Sequence, residues 1–273
     1  MTKNKTFWVG IVAAAALALT GCGDDATGTG GTAGSGGTAG DGGTGGDGPG
    51  TGSVTAVHLA PEVPAAGMTD VTIYVNGEAT ELVIAYGEST GRVDLLAGEE
   101  YAIGLGTADD ELLTLDPFTM PEGADLVAVA YRTNEALPVA VWVFDNSVGD
   151  VPADNGRVIV AHGANDTALN PVNISLGSED TECSTLIPDL AFASSFPAAD
   201  EPNFYLPADS YPIGFDVADD ECPEVGPVDV PVTPDVTSIV VAVDENTVDG
   251  ELAPQLWAIV DASADPIPLI VAP

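Results

Sequence analysis

Residues 96–111 read LAGEEYAIGLGTADDE, and residues 206–221 read LPADSYPIGFDVADDE. Eight of the sixteen positions are identical at a constant offset of 110, including Tyr101/Tyr211, Ile103/Ile213, Gly104/Gly214 and the Ala-Asp-Asp-Glu that closes each stretch. A match this dense is an internal repeat, and a repeat sets the architecture before any single element does. Working outward, Val57-His58-Leu59-Ala60 parallels Ala161-His162-Gly163-Ala164. Residues 126–131 (LVAVAY) parallel 239–244 (IVVAVD), and Trp142 parallels Trp257. The offset drifts from 104 to 115, as loop insertions produce. The chain therefore carries two copies of one module, each of about 100 residues.

Each copy reads as strands. Val71, Ile73 and Val75 alternate with polar residues, as do Tyr101, Ile103 and Leu105 and, in the second copy, Tyr211, Ile213 and Phe215. Alternation with period two marks a half-buried strand. Residues 126–131 and 139–144 are continuous apolar runs suited to buried strands. Asn76-Gly77 is a hairpin-turn signal. Pro212, inside a strand pattern, is expected on an edge because it cannot donate to a ladder. No window shows a helical stripe, and 21 prolines punctuate the chain. The expectation is all-β: two tandem β-sandwich domains, immunoglobulin-like or transthyretin-like, over 54–156 and 157–273, after a signal peptide and a disordered linker.

The first 53 residues are of another kind. Lys3 and Lys5 precede an apolar run over 7–19. Thirteen residues of helix reach about 20 Å, short of a hydrocarbon core of roughly 30 Å, so this is a secretory segment rather than a span. It ends in Leu19-Thr20-Gly21-Cys22, which resembles the lipobox of bacterial lipoproteins. That resemblance implies cleavage after residue 21 and lipidation of Cys22, with the acyl chains as the membrane anchor. From 23 to 53 the chain is almost wholly Gly, Thr, Ala, Ser and Asp, and 15 of these 31 residues are Gly. Such a segment cannot offset its ordering entropy by burial, and as a coil it reaches roughly 30 Å. We read 22–53 as lipidated cysteine and spacer. Gly23 is not the Asp that retains enteric lipoproteins in the inner membrane, which points to the outer membrane.

The charge balance is 5 − 43 = −38, and after loss of Lys3 and Lys5 only Arg92, Arg132 and Arg157 remain, giving 3 − 43 = −40. A chain so short of base is no nucleic-acid binder and carries no basic patch for anionic lipid. Self-repulsion among these carboxylates is screened by salt. The melting temperature is therefore expected to rise with sodium chloride; a flat response in a thermal melt would contradict this.

The residues of the first copy also resemble a family. Val54-Thr55-Ala56-Val57-His58-Leu59-Ala60-Pro61-Glu62-Val63-Pro64, Val71-Thr72-Ile73-Tyr74-Val75-Asn76-Gly77, Ala85-Tyr86-Gly87-Glu88-Ser89-Thr90-Gly91, Leu96-Ala97-Gly98 and Tyr101 are similar to the domain-of-unknown-function family 4397. That family is common in exported bacterial proteins and lipoproteins, often in tandem. The resemblance implies architecture and no mechanism. The second copy departs from it, with Phe192-Ala193 in place of Tyr86-Gly87.

Four constellations carry potential chemistry. Gly87-Glu88-Ser89-Thr90-Gly91 has the form of a serine-hydrolase elbow, which requires a strand-to-helix turn; the residues that follow read as a strand, so turn chemistry accounts for the glycines. His58 and His162, the only histidines, stand at equivalent strand ends, too few for a zinc site of three or four protein ligands; the side chain of each is expected to pin a nearby loop by hydrogen bonds. The repeated Asp109-Asp110-Glu111 and Asp219-Asp220-Glu221 are candidate calcium ligands, since hard cations take clustered carboxylates and turn carbonyls, although the alternating calcium-loop pattern is absent. Cys183 and Cys222 remain once Cys22 is lipidated, and in an oxidising compartment they are expected to pair. The reading is a membrane-anchored envelope lipoprotein with two non-catalytic modules engaging a glycan or another envelope protein. The alternative is an envelope hydrolase or calcium-dependent enzyme built on the acidic turns.

Overall fold

The computed structural model describes residues 50–61, 70–133, 139–147, 151–164, 170–177, 183–198, 203–216, 223, 225–246, 252–260 and 265–269. Among these the structure is all-β, with strands packed as sheets and no helix. The first half contributes β1 (Thr51–Leu59), β2 (Val71–Val75), β3 (Glu78–Ile84), β4 (Val93–Leu96), β5 (Glu100–Tyr101), β6 (Ile103–Gly106), β7 (Glu111–Thr114), β8 (Phe118–Thr119), β9 (Asp125–Arg132) and β10 (Val139–Asp145). The second contributes β11 (Asn155–Gly163), β12 (Val172–Leu176), β13 (Ser184–Leu190), β14 (Ser194–Phe196), β15 (Phe204–Pro207), β16 (Asp209–Asp216), β17 (Val225–Val232), β18 (Thr237–Asn246), β19 (Leu252–Ile259) and β20 (Ile267–Leu269).

The two halves repeat one wiring. In the first, an inner sheet runs β10-β9-β1-β4 and an outer sheet β3-β2-β6-β7. In the second, the inner sheet runs β14-β11-β18-β19-β20, with β15 also on β11, and the outer sheet runs β13-β12-β16-β17. Each inner sheet is built on a parallel pair, β1 with β9 and β11 with β18. His58 stands opposite Ala130 in one pair, and His162 opposite Ala242 in the other.

This register corrects the sequence alignment by one residue. Val127, not Leu126, corresponds to Ile239, so 126–131 matches 238–243. Period two makes the difference absolute, because a one-residue slip would exchange the two faces of the strand.

Alternation along the inner strands feeds three apolar clusters. Val54, Ala56, Ala128 and Ala130 face Ile73, Ile103 and Leu105 of the first outer sheet. Val158, Val160, Val240, Ala242 and Leu256 face Ile174, Ile213 and Phe215 of the second. The opposite faces meet each other: Val57, Leu59, Val127, Val129 and Tyr131 pack with Ile159, Ala161, Ile239, Val241 and Trp257 in one shared cluster. The layers therefore follow in the order outer, inner, inner, outer. The inner strands are apolar at odd and even positions alike because both their faces are covered.

The structure corrects three further expectations. Thr51-Gly52-Ser53, assigned to the spacer by composition, begins β1 and pairs with Leu96, Leu95 and Asp94. Gly52 is required there because a Cβ would collide with Met120 Cε and lie 2.7 Å from the Pro121 carbonyl. Pro212 lies in β16, which has partners on both sides rather than being an edge strand. It is tolerated because the β12 ladder ends one residue earlier, at Leu176↔Ile213, and the Pro212 carbonyl accepts from Gly177 N–H at 2.9 Å. Finally, the run over 139–144 forms β10, which is the outermost strand of its sheet rather than a buried one.

Asn76 (φ 52°) and Gly77 (φ 80°) form the expected two-residue hairpin between β2 and β3. A second turn recurs in both halves. Gly87 takes φ 81°, and its counterpart Ala193 takes φ 60°. For a residue with Cβ the left-handed region costs roughly 1–2 kcal/mol, part of which a glycine returns in unfolded-state entropy. Ala193→Gly is therefore expected to stabilise by about 0.5–1 kcal/mol, read as a shift of the denaturant midpoint at unchanged slope.

Candidate functional site

The repeated turn is where the histidines, the Gly-Glu-Ser-Thr-Gly stretch and the shared cluster come together. In the first half Glu88 N–H closes the turn on Ala85 O at 3.0 Å, and the His58 backbone holds it from below. His58 N–H donates to Glu88 O at 3.0 Å, and Gly87 N–H donates to His58 O at 2.8 Å. In the second half Ser194 N–H bonds Ala191 O at 3.1 Å, and Ala193 N–H bonds His162 O at 2.7 Å. The histidines thus pin the turns through their main chain. Their rings are fully buried, at 1% and 0% exposure. His58 meets the edge of Tyr86 at 6.2 Å, and His162 meets Phe192 at 6.3 Å and Phe215 at 5.9 Å.

Ser89 sits in a one-residue antiparallel bridge to Val57, within extended chain and not at a strand-to-helix turn. Its N–H and Oγ–H both donate to Asp265 Oδ1, at 2.9 and 3.3 Å, and its Oγ accepts from Gly91 N–H at 3.2 Å. Thr90 Oγ accepts from Ala56 N–H at 3.0 Å. This stretch therefore stitches the first half to the C-terminal end of the second. His162, the only downstream histidine, lies in the other core against Phe192 and Phe215.

Of the acidic repeats, Asp109-Asp110-Glu111 forms the β6–β7 turn. Thr107 Oγ accepts from Asp109 N–H (3.3 Å) and Asp110 N–H (3.1 Å), and Thr107 N–H donates to Asp110 O at 2.9 Å. Asp109 and Asp110 are exposed. Glu111 lies over Gly104 and accepts from Thr114 Oγ at 2.9 Å. Among the described residues no three His, Cys, Asp or Glu side chains come together to hold a metal. Asp219, Asp220 and Glu221 lie outside the described residues. Neighbouring Tyr74, whose hydroxyl donates to Thr107 O at 2.8 Å, has its phenol pushed above 10.0 by burial first and then by Asp110, Asp109 and Glu111. A phenol held more tightly in the fold adds stability that is full below pH 10 and lost as pH rises through the folded value. Tyr74→Phe is expected to flatten the alkaline limb of the stability–pH curve.

Arg92 and Arg157 serve the fold. Arg92 Nη2 reaches Asp125 Oδ2 at 2.6 Å, and Asp125 also accepts from Ser53 Oγ and Asn146 Nδ2, both at 2.9 Å. Arg157 Nη1 donates to Asp145 O at 2.5 Å, tying β11 to the end of β10. Sequence reasoning missed Asp125 and Asp265, because nothing local distinguishes two acids among 43.

Comparison of the chain with protein-family models and with curated proteins finds no match. The cavity in the first core, of about 20 Å³, is bordered by Ala56, Leu105, Ala128 and Val141. It is the trace of smaller side chains where the second half has Val160, Phe215, Val240 and Leu256. It has room for one water at most. Cys183 precedes β13, while Cys22 and Cys222 lie outside the described residues.

Proposed function

We propose that the chain is an exported envelope lipoprotein, anchored through Cys22 and spaced from the membrane by its Gly-rich segment. Its folded part consists of two tandem modules, similar to family 4397, that act by binding and display rather than by bond-making chemistry. The carrying observation is the repeated turn: in both halves the histidine ring is packed inside while its backbone holds the turn, and Ser89 is tied to Asp265. The groups best suited to catalysis are spent on architecture. Cys183 pairing with Cys222 belongs to the same reading, since Cys22 is taken by lipid; the closed loop of 39 residues (222 − 183) is worth up to roughly 4 kcal/mol on the chain-entropy model.

The test is expression in a bacterial host with a clickable fatty acid. The chain should take up label and fractionate with membranes, and Cys22→Ala should lose both. A mature protein with a bare thiol at position 22 would refute the anchor. Protease shaving of intact cells then reports which face of the envelope displays the modules.

A further inference from the structure

We propose that the open edge of β10 is a docking site where an extended, apolar, basic-flanked segment of a partner protein adds as an antiparallel strand. The first observation is the edge itself. Among the described residues the outer side of β10 pairs with no strand. Asn146 N–H donates to Asp125 O in register with the β9–β10 ladder. In an antiparallel pair such hydrogen-bonded positions alternate. Ala140, Trp142 and Phe144 therefore turn their main-chain groups toward β9, and Val139, Val141 and Val143 turn theirs outward. The Asp145 carbonyl, next in the outward series, is the one taken by Arg157.

The second observation is that other strand edges are protected. Exposed edges are ordinarily blunted by proline, charge, bulges or brevity. Strand β3 carries Glu78, Glu81 and a register shift, and β13 carries Pro188, Asp189 and register shifts of its own. Strand β17 carries Pro227, Asp229 and Pro231, while β4 and β7 have four residues and β20 has three with a central proline. Strand β10 reads VAVWVFD, seven residues without proline and without charge before Asp145.

The third observation identifies the occupant. In the second half the equivalent strand β19 is already covered. Ile267-Pro268-Leu269 of β20 pairs antiparallel along Leu256-Trp257-Ala258, the counterparts of Val141-Trp142-Val143. Pro254 stands where the first half has Val139. Among the described residues there are two such edges, and β20 covers only that of β19. The β10 edge thus fits a short extended segment like β20. A second copy is a poor occupant, since each chain carries a net charge of −38, and the same charge favours basic flanks. Main-chain pairing would supply affinity and alternate apolar side chains specificity, as in strand addition generally.

This proposal deepens the binding reading above and rests on it only in requiring a partner, so its failure leaves the lipid-anchor test untouched. The probe is a labelled peptide carrying residues 267–271 (IPLIV) with one lysine at each end, titrated against the full chain in detergent by fluorescence anisotropy. We expect saturable binding that Val141→Pro weakens at least about tenfold, because it removes an outward N–H and leaves the β9 ladder intact. Val139→Pro, which installs the residue that β19 carries, should weaken binding too and serves if the first variant does not fold. Binding undiminished in both folded variants would place the peptide elsewhere and overturn the proposal. So would absence of binding at millimolar peptide, or a concentration-dependent dimer that both prolines abolish.

Discussion

Replacing Trp257 by alanine is expected to remove about 4 kcal/mol of stability. At the usual sensitivity of a body of this size, the melting temperature should fall by roughly 10 °C. Trp257 is 6% exposed and belongs to the cluster shared by the two inner sheets. Its ring meets the edge of Tyr86, 5.7 Å away, and its Cη2 would lie 2.9 Å from a Cβ on Gly87. Truncation therefore opens a cavity between the halves rather than within one. The loss should appear as a single transition displaced as a whole, because the shared cluster couples both halves. Trp257→Phe is the control: it keeps a ring against Tyr86 and discards an indole N–H that is buried without a hydrogen-bond partner among the described residues. Its cost should be less than half that of alanine. Two separate transitions, only one of them displaced, would show that the shared cluster does not couple the halves.

Gly163→Leu is expected to cost about 3 kcal/mol through overpacking, although the first half carries Leu59 at the corresponding position. The reason is an asymmetry inside the duplicated interface. A Cβ at Gly163 would stand 2.6 Å from Trp142 Cη2, 3.0 Å from Tyr131 Cδ2 and 3.2 Å from the Ala242 carbonyl. Trp142 and Tyr131 are themselves stacked, 3.6 Å between centroids and 12° between planes, so neither ring can yield alone. Opposite Leu59 the register places Tyr131, whereas opposite Gly163 it places Val243. One side of the interface is filled by Leu59 and Trp257, the other by the Tyr131–Trp142 stack seated on a glycine. Adding Trp142→Ala to Gly163→Leu should recover at least about 1 kcal/mol, a non-additivity typical of residues in contact. Full additivity in denaturant melts would contradict the contact.

Much of this was legible residue by residue. The repeat announced itself because loops varied while Tyr101/Tyr211 and Ile103/Ile213 held their spacing. Asn76-Gly77 specified its hairpin because two consecutive positive φ values admit few residues. Pro212 was misread because a proline is excluded only where its missing N–H is needed, and which ladder runs past a strand end is not local information. Thr51–Ser53 was assigned to the spacer because a glycine that makes room for Met120 has the same letter as one in a linker. The candidate site was legible as a turn, but not as the place where Asp265, 176 residues away from Ser89, closes the two halves together.

By itself the sequence determined strand periodicity, duplication, turn chemistry and charge, because each is set by neighbours a few residues apart or by counting. Only the tertiary structure decided that the inner sheets share a third apolar cluster, that Leu59 and Gly163 play unequal parts in it, and that, among the described residues, β19 is covered while β10 is open. A continuous apolar run demands that both faces be covered, yet it is silent on which surface covers them and on whether a further strand lies alongside. Those outcomes depend on contacts between residues a hundred or more positions apart, where register and layer order, rather than local pattern, select the partner.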